Sequence, residues 1–210
     1  MELTNKTLAL LLVAAISVSL IGTFFSLNKL GKLTATGYAT ANGTATVNVS
    51  STTSIRFAIP SVDWGTGYVN TTGGYVNCTL MTDGTSNSAG CAGFNQVTQG
   101  LVLENDGNTM TGVSLYSNAN ASQFIGGTSD GGGPQFRYKV SQNESGSCTS
   151  GLGPTSFTDV NTTGPGTTIC PAGNFNFTDS TDSIKIDLYV NIPYTAQSGY
   201  KIATLIATSS

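Results

Sequence analysis

The chain has 210 residues, of which only 9% are charged, with eight Lys plus Arg against eleven Asp plus Glu, a net charge of −3 and no histidine. Charge this sparse excludes the basic footprint of a nucleic-acid binder and the acidic run of a solvating tail. The missing imidazole excludes Ser-His-Asp and Cys-His nucleophiles, His-ligated zinc or iron, and a histidine general base.

Residues 1–7 form a short flank. Leu8–Leu27 then runs without a charge, and Ser17, Ser19 and Thr23 are its only polar interruptions before Ser26. At about 1.5 Å per residue such a helix covers the ~30 Å hydrocarbon layer, whereas a soluble core helix would carry a polar stripe. The expected partner of residues 8–27 is therefore a lipid bilayer, reached through an uncleaved signal anchor. Two alternatives stay open: a cleaved export signal, for which Ala39-Thr40-Ala41 has the small-x-small pattern, and pilin-type processing just before Leu8, at Thr7. Lys6 and Glu2 precede the run while Lys29 and Lys32 follow it, so a positive-inside count leans toward a cytoplasmic C-terminal part. The rest of the chain points outward instead.

Residues 28–42 read as a small, polar linker, and residues 43–210 as one extracellular domain. Period-two alternation predicts strands at Thr44–Val49 and at Ser54–Ile59, the second with Ile55, Phe57 and Ile59 on one face and Pro60 as its stop. Further strands are expected at Gly74–Met81 and Leu101–Glu104, then, after the turn signal Asn105-Asp106-Gly107-Asn108, at Gly112–Tyr116. Gln135–Val140 places Phe136, Tyr138 and Val140 inward and Arg137 and Lys139 outward. Ser183–Ile192, ended by Pro193, is the clearest strand, and Tyr200–Thr208 supplies the last. No segment after residue 27 shows a 3.6-residue period, so any helix there is short. Long Gly- and Ser-rich loops are expected around 84–90, 126–133 and 148–170.

Cys78, Cys91, Cys148 and Cys170 are an even set without a Cys-x-x-Cys pair, which reads as two disulfides in an oxidising compartment. Cys78–Cys91 with Cys148–Cys170 is the sequence-local choice among three connectivities. Asn-x-Ser/Thr acceptors at Asn42, Asn48, Asn70, Asn77, Asn120, Asn143, Asn161 and Asn176 agree with an outward-facing, glycosylated domain. The carboxylate pairs Asp179/Asp182 and Glu104/Asp106 are read as turn caps rather than a calcium site, which needs six to eight oxygens, and no cofactor is expected. The single Trp, Trp64, is read as packing. With Tyr68 it is also the candidate sugar-stacking pair. Gly131-Gly132-Gly133 precedes no helix and is a loop tip, not a phosphate cradle.

Leu101–Asn108 followed by Val113-Ser114-Leu115 resembles the hairpin of immunoglobulin-like modules in prokaryotic cell-surface proteins. Ile184–Ile192 with Pro193, Gly199 and Tyr200–Thr204 resembles their closing pair of strands. The resemblance implies an all-β fold, an antiparallel immunoglobulin-like β-sandwich preceded by a single N-terminal transmembrane helix. It also implies a non-enzymatic structural or adhesive role at the cell surface or envelope. Two other functions stay open. One is a pilus-like filament of copies joined by donor strands, with Leu33–Val49 as the donor; the other is a carbohydrate-binding accessory module using Trp64 and Tyr68.

Overall fold

The computed structural model describes residues 5–30 and 46–210, which fall into two units, Met1–Asn48 and Val49–Ser210. The first contains helix α1 (Asn5–Leu30), three residues longer than the apolar run at each end. Its apolar side chains are exposed on every side, from Leu8 through Leu12 and Leu20 to Phe24. The polar interruptions are satisfied within the helix: Ser17 Oγ donates to Val13 O at 2.8 Å and Thr23 Oγ1 to Ser19 O at 2.6 Å. A hydroxyl bonded back to the preceding turn adds no unpaired donor, so it is compatible with hydrocarbon. Among the described residues this is the one helix long and apolar enough to cross a membrane, a property shared by anchors and signal sequences. Most of the predicted linker, with Asn42 and Ala39-Thr40-Ala41, lies outside the described residues, whereas Asn28–Leu30 belong to the helix.

The second unit is built from strands β1 (Arg56–Ile59), β2 (Tyr68–Val69), β3 (Asn77–Met81), β4 (Cys91–Ala92), β5 (Leu101–Glu104), β6 (Thr111–Ser117), β7 (Gln135–Gln142), β8 (Thr158–Asp159), β9 (Thr167–Phe175), β10 (Ser183–Pro193) and β11 (Leu205–Ser209). A four-residue helix, α2 (Ala121–Phe124), is closed by an Asn120/Gln123 capping box. All described pairings are antiparallel. Six strands form one sheet in the order β1-β5-β10-β7-β8 with β3 also on β10; three form another, β11-β6-β9; and β2 pairs with β4.

β10 organises the larger sheet because its eleven residues are long enough to serve several neighbours. Ser183–Ile186 pair with β5 and Tyr189–Pro193 with β3, while Ile184–Asn191 pair with β7. Between the β5 and β3 contacts the Thr82 hydroxyl accepts the Leu188 N–H at 2.9 Å. Gly100 meets the β10 backbone so closely that a Cβ there would stand 2.2 Å from Ile186 O. One face of β10 contributes Ile184, Ile186, Leu188 and Val190 to a core shared with Phe136, Tyr138 and Val140 of β7, Val113 and Leu115 of β6, and Ile169 and Phe175 of β9. Apolar burial by both sheets into this one cluster is the main stabilising term, at about 25 cal/mol per Å².

Both predicted local disulfides form, Cys78–Cys91 and Cys148–Cys170. The first joins β3 to β4, and the second ties the 148 segment to β9. Several sequence expectations are corrected. The described part of Thr44–Val49, from Thr46 onward, is not in a strand. Gly74–Val76 are exposed and follow a 3₁₀ turn (Thr71–Gly73) capped by Asn70, so the third strand starts at Asn77. The last strand starts at Leu205 rather than Tyr200. The second half of the expected 148–170 loop region leads into a nine-residue strand, β9, whose Pro171 and Gly173 disguise it and whose register shifts against β6 absorb them.

The larger correction concerns partners. The strands flanking Asn105–Asn108 do not pair with each other: β5 lies in the six-stranded sheet and β6 in the three-stranded one. β10 and β11 are divided in the same way. Asn105 explains the first crossing. It is fully buried, its Nδ2 donates to Thr109 O at 3.0 Å and Phe175 O at 3.1 Å, and its Oδ1 accepts the Gly107 N–H at 3.2 Å. A side chain bonded both to its own turn and to the opposite sheet makes a corner where a two-residue hairpin would have kept both strands in one sheet.

Candidate functional surface

The outer face of the six-stranded sheet carries a group of ion pairs. Alternation on β10 sends Lys185, Asp187, Tyr189 and Asn191 outward, and on β7 it sends Arg137 and Lys139 outward, as expected for those two. Lys139 Nζ reaches Asp83 Oδ2 at 2.7 Å, Arg137 Nε reaches Asp159 Oδ1 at 2.8 Å, and Lys185 Nζ reaches Asp187 Oδ2 at 3.1 Å. Asp187 is buried and also accepts the Thr82 hydroxyl at 3.1 Å. Lys139 lies 4.6 Å from the Phe157 ring centroid, and Phe157 packs on Tyr189. Of the Lys and Arg side chains in this unit, Lys201 alone has no ion-pair partner among the described residues. A face whose charges neutralise one another holds the sheet together and presents no single-sign field to a ligand.

Burial works to raise the Asp83 carboxyl, but the Lys139 ammonium and the Thr85 donors outweigh it and hold its pKa down at about 2. A folded-state pKa below the unfolded value gives stability that is present above pH ~4 and lost as pH falls toward 2. Lys139→Ala is expected to lower unfolding free energy at pH 7 by about 1–2 kcal/mol, the pair being only partly exposed. The loss should shrink as pH falls through this window, which denaturant titrations at pH 7 and pH 3 will show.

The carboxylates singled out in the sequence are also engaged. Arg56 holds both Glu104, at 2.5 Å, and Asp106, at 3.4 Å. Asp179 Oδ1 accepts the Ser180 N–H, and the Asp182 backbone N–H donates to Glu144 Oε2 at 3.0 Å. Burial, and then the neighbouring Glu144, Glu104 and Asp179 carboxylates, push the Asp182 carboxyl up. No group of three or more Cys, Asp or Glu side chains stands ready for a metal among the described residues.

Trp64 is half-buried and packs against the core, its indole N–H buried without a hydrogen-bond partner. Tyr68, on β2, is 66% exposed. Of the sequons, Asn48, Asn120 and Asn161 are exposed and carry no bond on the amide nitrogen among the described residues. Asn70 is half-buried and caps the 3₁₀ turn. The amide nitrogens of Asn77, Asn143 and Asn176 are occupied, donating to Gly131 O, Ser183 Oγ and Thr181 Oγ1.

Which strand ends up outermost depends on long-range pairing, which alternation in the sequence does not convey. β9 is covered by residues 147–153: Thr149 N donates to Asn174 O, Asn176 N to Ser147 O and Gly153 N to Ile169 O. β3 is covered through Ser88, whose backbone N–H donates to Thr79 O and whose hydroxyl accepts the Thr79 N–H. β1 is short, carries Arg56, shifts register after Phe57 and meets Pro60, while β8 has two residues and Asp159. Such devices blunt an edge. β11, Leu-Ile-Ala-Thr-Ser, has none of them. Gly112 and Ser210 exchange both backbone bonds, at 2.9 and 3.0 Å, and Asn118 N donates to Thr204 O. By antiparallel alternation Ile206 and Thr208 also bond inward to β6, and Leu205, Ala207 and Ser209 direct their N–H and C=O groups outward.

No protein-family model matches this chain, and no curated protein or solved structure does so either.

Proposed function

We propose that the protein is a non-enzymatic, membrane-anchored structural or adhesive protein of the cell surface, displaying an immunoglobulin-like β-sandwich outside the cell. The observation that carries this reading is the combination in one chain of a 26-residue helix that is uncharged from Leu8 to Leu27 and a β unit whose four cysteines are all in disulfides. Thiols pair stably in oxidising compartments, so the β unit belongs on the non-cytoplasmic side of the membrane that α1 enters. Two antiparallel sheets sharing one core, joined by a corner at Asn105, support the sandwich architecture. Exposed Asn48, Asn120 and Asn161, with free amide nitrogens, are the sequons we assign to glycans, while bonded Asn77, Asn143 and Asn176 stay bare. A second reading, in which copies assemble through strands into rows or filaments, is favoured by the open β11 edge. The weaker sugar-binding reading draws on exposed Tyr68 alone, since Trp64 turns its ring to the core.

Sidedness is tested on intact cells. Externally added protease is expected to remove the β unit and leave a membrane-bound fragment containing α1. Full protection in intact cells, with cleavage only after lysis, would place the β unit inside and overturn the reading.

A further inference from the structure

Among the described residues the outer edge of β11 has no strand neighbour, and the segment Thr46–Ser50 is held only at its end, where Asn108 Nδ2 donates to Ser50 O at 2.8 Å. Val47 is 82% exposed and Val49 75% exposed. They alternate with Thr46, Asn48 and Ser50, so an extended conformation puts both valines on one face. On β11, Leu205 and Ala207 point to the core but are only half-buried. Neither segment carries a charge.

We propose that Thr46–Ser50 of one copy adds as a strand to the free edge of β11 in a second copy. Main-chain bonds form from Val47 and Val49 to the outward groups of Ser209 and Ala207, or to those of Ala207 and Leu205 in the neighbouring register, and the two valines extend the core beside Leu205 and Ala207. Antiparallel addition with Val47 opposite Ser209 puts Val49 opposite Ala207 and Asn48 opposite Thr208; the neighbouring register puts Asn48 opposite Ile206. Donor and acceptor are different surfaces of one chain, so the contact is heterologous and propagates into open rows of copies rather than closed dimers. The inference rests on the structural-protein reading above by naming its partner as a second copy.

The test uses the full chain in detergent micelles, where contact between copies is read independently of which side of a membrane it faces. Because every native cysteine is in a disulfide, Asn48→Cys with Thr208→Cys, or with Ile206→Cys for the neighbouring register, introduces the only free thiols. Mild oxidation is expected to give a ladder running beyond dimer on non-reducing gels, with residue 48 joined to residue 208 or 206 of another chain. Val47→Asp with Val49→Asp is expected to reduce the laddered fraction at least tenfold without changing the thermal midpoint, since both valines are exposed. Ala207→Pro, which removes an N–H that β6 does not use, should also reduce the laddered fraction. A cross-link confined within single chains, a dimer formed by Thr208→Cys alone, or no cross-link in either register would overturn the proposal.

Discussion

Replacing Cys148 and Cys170 together by serine is expected to lower the unfolding free energy by about 4–5 kcal/mol, which exceeds half the total stability of a marginal domain. Closing a 22-residue separation accounts for about 3 kcal/mol through the unfolded chain. The remainder comes from position, since Cys148 and Cys170 are 2% and 0% exposed and sit in the core cluster. Two hydroxyls placed there lack the partners that a buried polar group requires. The tie also holds the 148 segment against β9, so its loss should uncover that edge and raise aggregation. The outer pair, Cys78 and Cys91, closes 13 residues and includes the half-buried Cys91, so its removal should cost less, about 3 kcal/mol. Urea denaturation of the two double variants side by side ranks them. Equal losses, or a larger loss at Cys78/Cys91, would contradict this assignment of the core tie.

Asn105→Ala should destabilise by about 3 kcal/mol although it removes no apolar contact. The side chain makes three hydrogen bonds, and one of them, to Phe175 O, crosses to the opposite sheet in a fully buried position. Each buried carbonyl left without its donor costs about 1–3 kcal/mol. Asn105→Asp keeps the shape but exchanges the donating amide nitrogen for a carboxylate oxygen facing two carbonyls, and should be at least as damaging. By contrast Asp106→Ala, one residue away and exposed, loses one longer contact to Arg56 and should fall within about 0.5 kcal/mol of the parent. Thermal unfolding of the three variants checks the order; a harmless Asn105→Ala would mean that the corner is held by the flanking strands alone.

These particulars show what alternation in a sequence conveys. Leu101–Glu104 and Ser183–Pro193 match their predicted spans to within a residue, because their inward side chains meet a continuous core and period two survives intact. β9 was hidden because Pro171 and Gly173 break the pattern, and only pairing with β6 shows that register shifts accommodate them. Alternation reports which face of a strand is buried and is silent about which strand lies beside it. The Asn105 turn therefore read as a hairpin, although Asn105 bonds across to Phe175 and parts the two sheets there. The local disulfide pairing was legible as one of three choices, since both loops are short. The surface features were less so. Which sequons have a free amide, that Lys139 pairs with Asp83, and that β11 keeps an unpaired edge among the described residues all follow from contacts between residues far apart in the chain.

Anchoring outside the cell is tested most directly by intact mass and N-terminal sequencing of the native protein from the membrane fraction, before and after reduction. The account predicts a chain retaining α1, with added glycan mass and with four cysteines that react with an alkylating reagent only after denaturation and reduction. A protein recovered without α1 from the soluble fraction, or one whose cysteines are alkylated in the unfolded chain without reduction, would contradict it.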